Sequence, residues 1–192
     1  MEAYIIRCFW AVGDPLLVRY HDEEWGVPLH DDRKLFEFLV LDGFQAGLSW
    51  LTILRKREAF RRAFHNFEPA LIARYTEYER QRLLQDTGIV RNVRKIEATI
   101  VNAQRALEVQ REVGSLDRYL WQFTGGKTLR NPQGVTQATM RATSPESDAM
   151  TKDLKKRGVG FVGSTTCYAF MQSAGMVNDH VDGCFCAGAP SP

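Results

Sequence analysis

Apolar positions recur at three- and four-residue spacing along most of this chain, and no segment longer than a few residues alternates with period two. The pattern predicts an all-α fold. Asp31 and Asp32 are acceptable caps for a helix carrying Leu35, Phe36, Phe38 and Leu39. Gly43 to Gly47 reads as a break, which sets Asp42 at a helix end. A helix from about Ser49 to Phe64 follows, with Trp50, Ile53, Leu54 and Phe60 on one face. Short helices are expected over Glu68–Tyr75, opened by Pro69, and over Thr76–Gln85. Val93, Ile96, Ile100, Ala103 and Leu107 mark the longest helix, over Asn92–Glu112. Ser115–Phe123, Ser144–Lys156 and Ser164–Ala174 complete the set. Cys8 to Pro28 reads as irregular and aromatic, and Gly125 to Thr143 as a surface loop.

Composition narrows the class. A chain of 192 residues with 44% apolar and 25% charged residues is expected to form a single domain over 1–192, flexible only at its tail, 187–192. A net charge of +2 does not announce a nucleic-acid binder, so positive charge would have to gather on one face. No apolar run is long enough to span a membrane and no signal peptide is recognisable, so a cytoplasmic monomer is expected. Four cysteines in a reducing compartment point to metal ligation or burial rather than disulfides.

Three groups of residues carry chemistry. The first is His180-x3-Cys184 with Cys186 near one end, and Cys8 and His21 near the other. Such donors suit a tetrahedral zinc site joining the termini; the alternative is a buried cysteine, a surface histidine and an unrelated tail thiol. The second is Lys155-Lys156-Arg157-Gly158-Val159-Gly160-Phe161-Val162-Gly163-Ser164-Thr165, a glycine hairpin between helices. Its backbone N–H groups and the hydroxyls of Ser164 and Thr165 could receive a phosphate, with Lys156 adding charge; the alternative is an ordinary packing corner. A weaker corner at Thr87–Asn92 offers Arg91, Arg94 and Lys95. The third is the aromatic set Trp10, Tyr20, Trp25 and Trp50 with the carboxylate of Asp42. Enzymes that act on an extruded base hold it between such faces, although most aromatics are simply core. The loop with Gly47 and Leu48 could fill the gap left in a duplex.

Taken together, Tyr20-His-Asp-Glu-Glu-Trp-Gly-Val-Pro28, Gln45-Ala-Gly-Leu-Ser-Trp50, Lys155-Lys-Arg-Gly158 with Phe161-Val-Gly163, and Asn178-Asp-His180 resemble the signatures of the 3-methyladenine DNA glycosylase I family, within the helix-hairpin-helix glycosylases. The resemblance covers nearly the whole chain. It implies a monofunctional glycosylase that hydrolyses the N-glycosidic bond of 3-methyladenine in double-stranded DNA. It implies a helix-hairpin-helix at about 152–174, contacting DNA through Gly158, Gly160, Gly163, Ser164, Thr165 and Lys156, and a wedge at Gly47 and Leu48. The implied zinc ligands are Cys8, His21, His180 and Cys184, with Cys186 a spare. The implied base pocket holds Tyr20 and Trp50, with Trp10 and Trp25 nearby, and Asp42 and Tyr20 as catalytic residues. Two positions depart from the family: Asp42 stands where the family has a glutamate, and Leu17 where it often has a tyrosine. They keep open a damage-binding protein without catalysis; a zinc-stabilised protein-interaction module is the other alternative.

Overall fold

The computed structural model describes residues 5–188; the last part of the expected flexible tail, 189–192, lies outside the described residues. Nine α-helices are described: α1 Pro15–Glu23, α2 Asp32–Gln45, α3 Trp50–Ala63, α4 Pro69–Ile72, α5 Glu77–Gln85, α6 Val93–Val113, α7 Leu116–Trp121, α8 Pro145–Lys156 and α9 Ser164–Ser173. The described residues contain no strand, only a single bridge between Leu129 and Val177. The all-α expectation holds.

The helix ends obey local chemistry. Asp31 caps α2, Ser49 caps α3 and Asn92 caps α6, each accepting an N–H from three residues on. Thr76 and Glu79 close a reciprocal capping box on α5. Two expectations were wrong. The stretch from Cys8 to Pro28 is not irregular but carries α1, because Asp14 accepts the Leu16 N–H and Pro15 takes the first helical position, where it needs no donor. The break at Gly43 is also absent: α2 runs through Gly43 to Gln45, which leaves Asp42 in the last turn of the helix, near its end as expected.

α2 sits at the centre of the molecule. Every residue from Leu35 to Phe44 is buried, with α3, α6, α7 and α9 packed around it. Beside it Phe44, Phe60, Phe64 and Phe67 form a chain of ring contacts at 4.8–6.1 Å. Truncating the fully buried Phe60 to alanine would cost about 3–5 kcal/mol. The one core runs from Cys8 to Ala187, so both ends of the described chain belong to the same body.

The C-terminus of α2 is closed from outside. Lys95 is not on the surface, as the Thr87–Asn92 corner suggested. It is buried, and its ammonium donates to the carbonyls of Phe44 and Ala46 at 2.8 and 2.7 Å. Those carbonyls have no partner within the helix, and a cation suits the negative end of its dipole. Lys95 also lies 5.8 Å from the ring of Phe161, so α6, the end of α2 and the hairpin before α9 meet at one point.

Candidate active site and metal cluster

Four helices deliver the walls of a surface-open cavity of about 330 Å³. α1 supplies Tyr20, α2 supplies Asp42 and Gln45, and the first residue of α3 is Trp50. α9 supplies Ala169, Gln172 and Ser173, one face of that helix at three- and four-residue spacing. Trp10 and Trp25 close one side, and Met140 enters from the long loop. The expected pocket residues are therefore brought together: Tyr20 and Trp50 stand 5.3 Å apart with rings tilted by 53°, and Trp10 meets Trp25 edge-on at 4.8 Å. The aromatic faces offer stacking surface for a planar ligand. Leu17 lies against the core and is not among these lining residues.

Asp42 is the charge-bearing group of the cavity. It is 3% exposed, and its Oδ2 atom has no hydrogen-bond partner. Burial pushes its carboxyl well above the usual carboxylate range, and the Ser173 hydroxyl opposes that shift in part. No lysine or arginine lines the cavity to compensate it. Tyr20 donates its phenolic proton to Ser173 Oγ at 2.9 Å, and burial, then the nearby Asp42, raise its pKa well above the usual value. The indole Nε1 of Trp50 is a second buried polar atom without a partner. Met140, Gln172 and Ser173 were not found from the sequence. The α9 spacing could have suggested Ala169 and Ser173 as face-mates, but nothing local says which way that face looks.

A second cluster lies behind the tryptophans. The ligand atoms of His21, His180, Cys184 and Cys186 all fall within 4.8 Å of one another. Cys8 is fully buried beside them, its Sγ accepting the Val181 N–H at 3.4 Å and its thiol facing Cys184. All four expected ligands are thus neighbours, but Cys186, expected as a spare, stands inside the group. The donor set fits a tetrahedral ion. Cys184 Sγ and His21 Nε2 are 3.4 Å apart, close to the edge of about 3.5 Å that ordinary zinc–sulfur and zinc–nitrogen bonds would set. His180 Nε2 is buried without a partner, and burial beside His21 lowers that imidazole to about 4, its neutral, ligating form. Burial raises the Cys8 and Cys186 thiols to about 12 and about 11, so only a cation would hold thiolates there. Gly26 shapes this site: at φ +79° it lets His180 approach so closely that a Cβ would meet the imidazole at 2.7 Å. Trp10 touches His21 and Trp25 touches His180, with ring centroids at 5.5 and 4.6 Å, so the cluster buttresses the cavity wall.

The hairpin between α8 and α9 is present as a tight turn. Its glycines divide by role. The N–H of Gly158 is taken by Lys155, and Gly160 is pinned at both its N–H and its carbonyl by the side chain of Asn102, at 2.8 and 3.1 Å. These two expected phosphate donors are therefore committed to the fold. Gly163 instead caps α9 without a side-chain bond, leaving the first N–H groups of α9 facing outward with Thr165 exposed. Ser164 shares its hydroxyl with Ser147 at 2.8 Å. Lys155 and Lys156 are exposed, whereas Arg157 pairs with Glu112 at 2.7 Å. Gly47 and Leu48 are exposed on the loop after α2, Gly47 at φ +83°.

Comparison with known proteins identifies the family and the fold. The family model for methyladenine glycosylase matches residues 10–187. The chain is 48% identical to DNA-3-methyladenine glycosylase 1 of Escherichia coli, over 97% of this chain and 99% of that protein. It is 42% identical to DNA-3-methyladenine glycosylase of Haemophilus influenzae, over 94% and 97%. A crystal structure of 3-methyladenine DNA glycosylase I superimposes with a TM-score of 0.91 at 49% identity, covering 94% of this chain and 99% of that one. The Staphylococcus aureus enzyme, solved for its recognition of 3-methyladenine, does so with a TM-score of 0.91 at 35% identity, covering 96% and 97%.

Proposed function

Since the chain belongs to the methyladenine glycosylase family, we propose that it excises 3-methyladenine from double-stranded DNA by hydrolysis, the first step of base excision repair. The observation that carries this reading is Asp42: a buried carboxyl with an unpartnered oxygen, in an aromatic cavity that holds no basic side chain. Such a carboxyl ionises readily only when a positive charge arrives. A purine alkylated on a ring nitrogen and still attached to its sugar is a planar cation. It supplies that charge and stacks on Tyr20 and Trp50. A normal purine is equally flat but neutral, and gains nothing from the carboxylate. Selection then follows from electrostatics rather than from size alone.

The chemistry is light. Water forms a bond to the anomeric carbon and releases a proton to solvent. The bond from that carbon to the base nitrogen breaks, and its electron pair neutralises the base. A cationic leaving group needs no protonation, so Asp42 acts by accepting a hydrogen bond and pairing charge. No lysine lines the cavity, so attack by an amine, which leads to strand cleavage, is not part of this reading. DNA is held at the first turn of α9 and by Lys155 and Lys156, as the second half of a helix-hairpin-helix, while Leu48 enters the space vacated by the flipped base. We assign one structural zinc ion to Cys8, His21, His180 and Cys184. Fully buried and with Sγ accepting a backbone N–H, Cys8 is a better ligand than the part-exposed Cys186. Four protein ligands leave no open position, so the ion stabilises the fold and takes no part in hydrolysis.

The test is base release from methylated duplex DNA with the freed purines separated. Release of 3-methyladenine well above 7-methylguanine and normal purines is expected. Tight binding to an abasic duplex with no release of any base would replace this reading with that of a damage-binding protein.

A further inference from the structure

Ser173 stands between the two groups assigned to the base. It lies in the last turn of α9 and is 5% exposed, with its hydroxyl on the wall of the cavity. It accepts the phenolic proton of Tyr20 at 2.9 Å. A serine hydroxyl has one proton and two lone pairs. With a lone pair engaged by Tyr20, its proton is free for another acceptor, and the carboxyl of Asp42 lines the same cavity wall. Asp42 sits in the last turn of α2, and α9 is packed along that helix.

We propose that Ser173 is a positioning residue for base excision: by taking the Tyr20 proton and turning its own toward Asp42, it makes both the phenolic oxygen and the carboxyl present acceptor lone pairs to the base. This rests on the glycosylase reading above. An aspartate is one methylene shorter than the glutamate of the resembling family, so its carboxyl stays closer to α2, and the hydroxyl of Ser173 on the facing helix lines the same cavity. Without Ser173, Tyr20 would be free to point its proton into the cavity, where it would oppose a donor on the base. The groups facing Asp42 are few. They are Tyr20 from α1, and Cys167 and Ser173 from α9, with Glu24 and Arg57 acting more distantly on Tyr20. None but Ser173 favours the ionised carboxyl directly.

The experiment measures single-turnover release of 3-methyladenine across pH for the full chain and for Ser173→Ala, Ser173→Thr, Tyr20→Phe and the double variant Tyr20→Phe/Ser173→Ala. Ser173→Ala is expected to lose about tenfold in the single-turnover rate, the cost of one hydrogen bond at a charged site. The sign of the pH effect is fixed. Ser173 favours the carboxylate, so its loss raises the pKa of Asp42 and moves the acid limb of the profile to higher pH. Ser173→Thr keeps the hydroxyl and should keep the limb. Because Ser173 acts partly through Tyr20, the double variant should lose less than the product of the two single losses. If Ser173→Ala fails to fold, Ser173→Cys, close in size with a weak donor, gives the same readout. An unmoved acid limb, or single losses that multiply, overturns the proposal while leaving the glycosylase reading standing. No release by the unsubstituted chain overturns both.

Discussion

The aromatic cavity and the cysteine–histidine cluster share a wall, Trp10 and Trp25, and each holds a buried polar atom without a partner: Oδ2 of Asp42 on one side and Nε2 of His180 on the other. Both are electrostatically incomplete, and both would be completed by a cation. They differ in donor type and access. Oxygen and aromatic faces open to the surface suit a flat organic cation that comes and goes. Sulfur and imidazole closed into the core suit a small ion that stays. The lesson is that an unpartnered buried group does not announce its ligand. The neighbouring atoms and the opening do.

The sharpest way to break the comparison is to remove the zinc ion proposed for the cluster. Chelation, or His180→Ala, should lower the melting temperature by about 10 °C or more, since the ends of the chain lose their tie to one another. Elemental analysis should find one zinc per chain. Cys8→Ser should lose the metal and Cys186→Ser should retain it. The reverse result would exchange the two thiols in the ligand set.

Asp42→Asn separates function from stability in the other region. Excision should fall by about 100-fold or more, the usual cost of losing a charge-pairing group in a dry site, while affinity for an abasic duplex stays within a few-fold. Thermal stability should rise at neutral pH. The folded-state pKa of Asp42 lies above its unfolded value, so the folded protein holds the extra proton. Stability therefore falls as the pH rises from the ordinary carboxylate range through the raised pKa, and the neutral amide removes that loss. A melting curve at several pH values checks this. If the variant is less stable at every pH, Asp42 is compensated by something other than its ligand.

The smallest effect belongs to the surface. Lys155→Ala and Lys156→Ala should each weaken binding to any duplex by a few-fold and each reduce the salt slope of binding by about 1, without altering which base is released. Salt-independent binding would move the DNA contact away from the end of α8.

Much of the molecule was legible one element at a time. Asp31, Ser49, Thr76, Asn92 and Ser144 announced five helix starts, because a cap depends on atoms three residues away. The Asp14-Pro15 pair was just as local, yet the reading of Cys8–Pro28 as irregular hid α1: the same two residues serve either end of a loop. Gly43 and Lys95 were misplaced for a different reason. One continues a helix where a glycine reads as a break and the other caps a helix 51 residues away, and neither fact leaves a trace in its neighbours.

The amino-acid sequence by itself determined the class, the order of α2 to α9, the donor types at the two ends and the aromatic character of the cavity, because propensity, capping and ligand chemistry reside in single residues and short spacings. Only the tertiary structure decided that Asp42 is buried and lacks a counter-charge, that Ser173 accepts the Tyr20 hydroxyl on the same cavity wall, that Cys186 joins the cysteine–histidine cluster and that Gly160 is held by Asn102. Burial, desolvation and pairing are properties of what surrounds an atom, and the surroundings arrive from helices far apart along the chain.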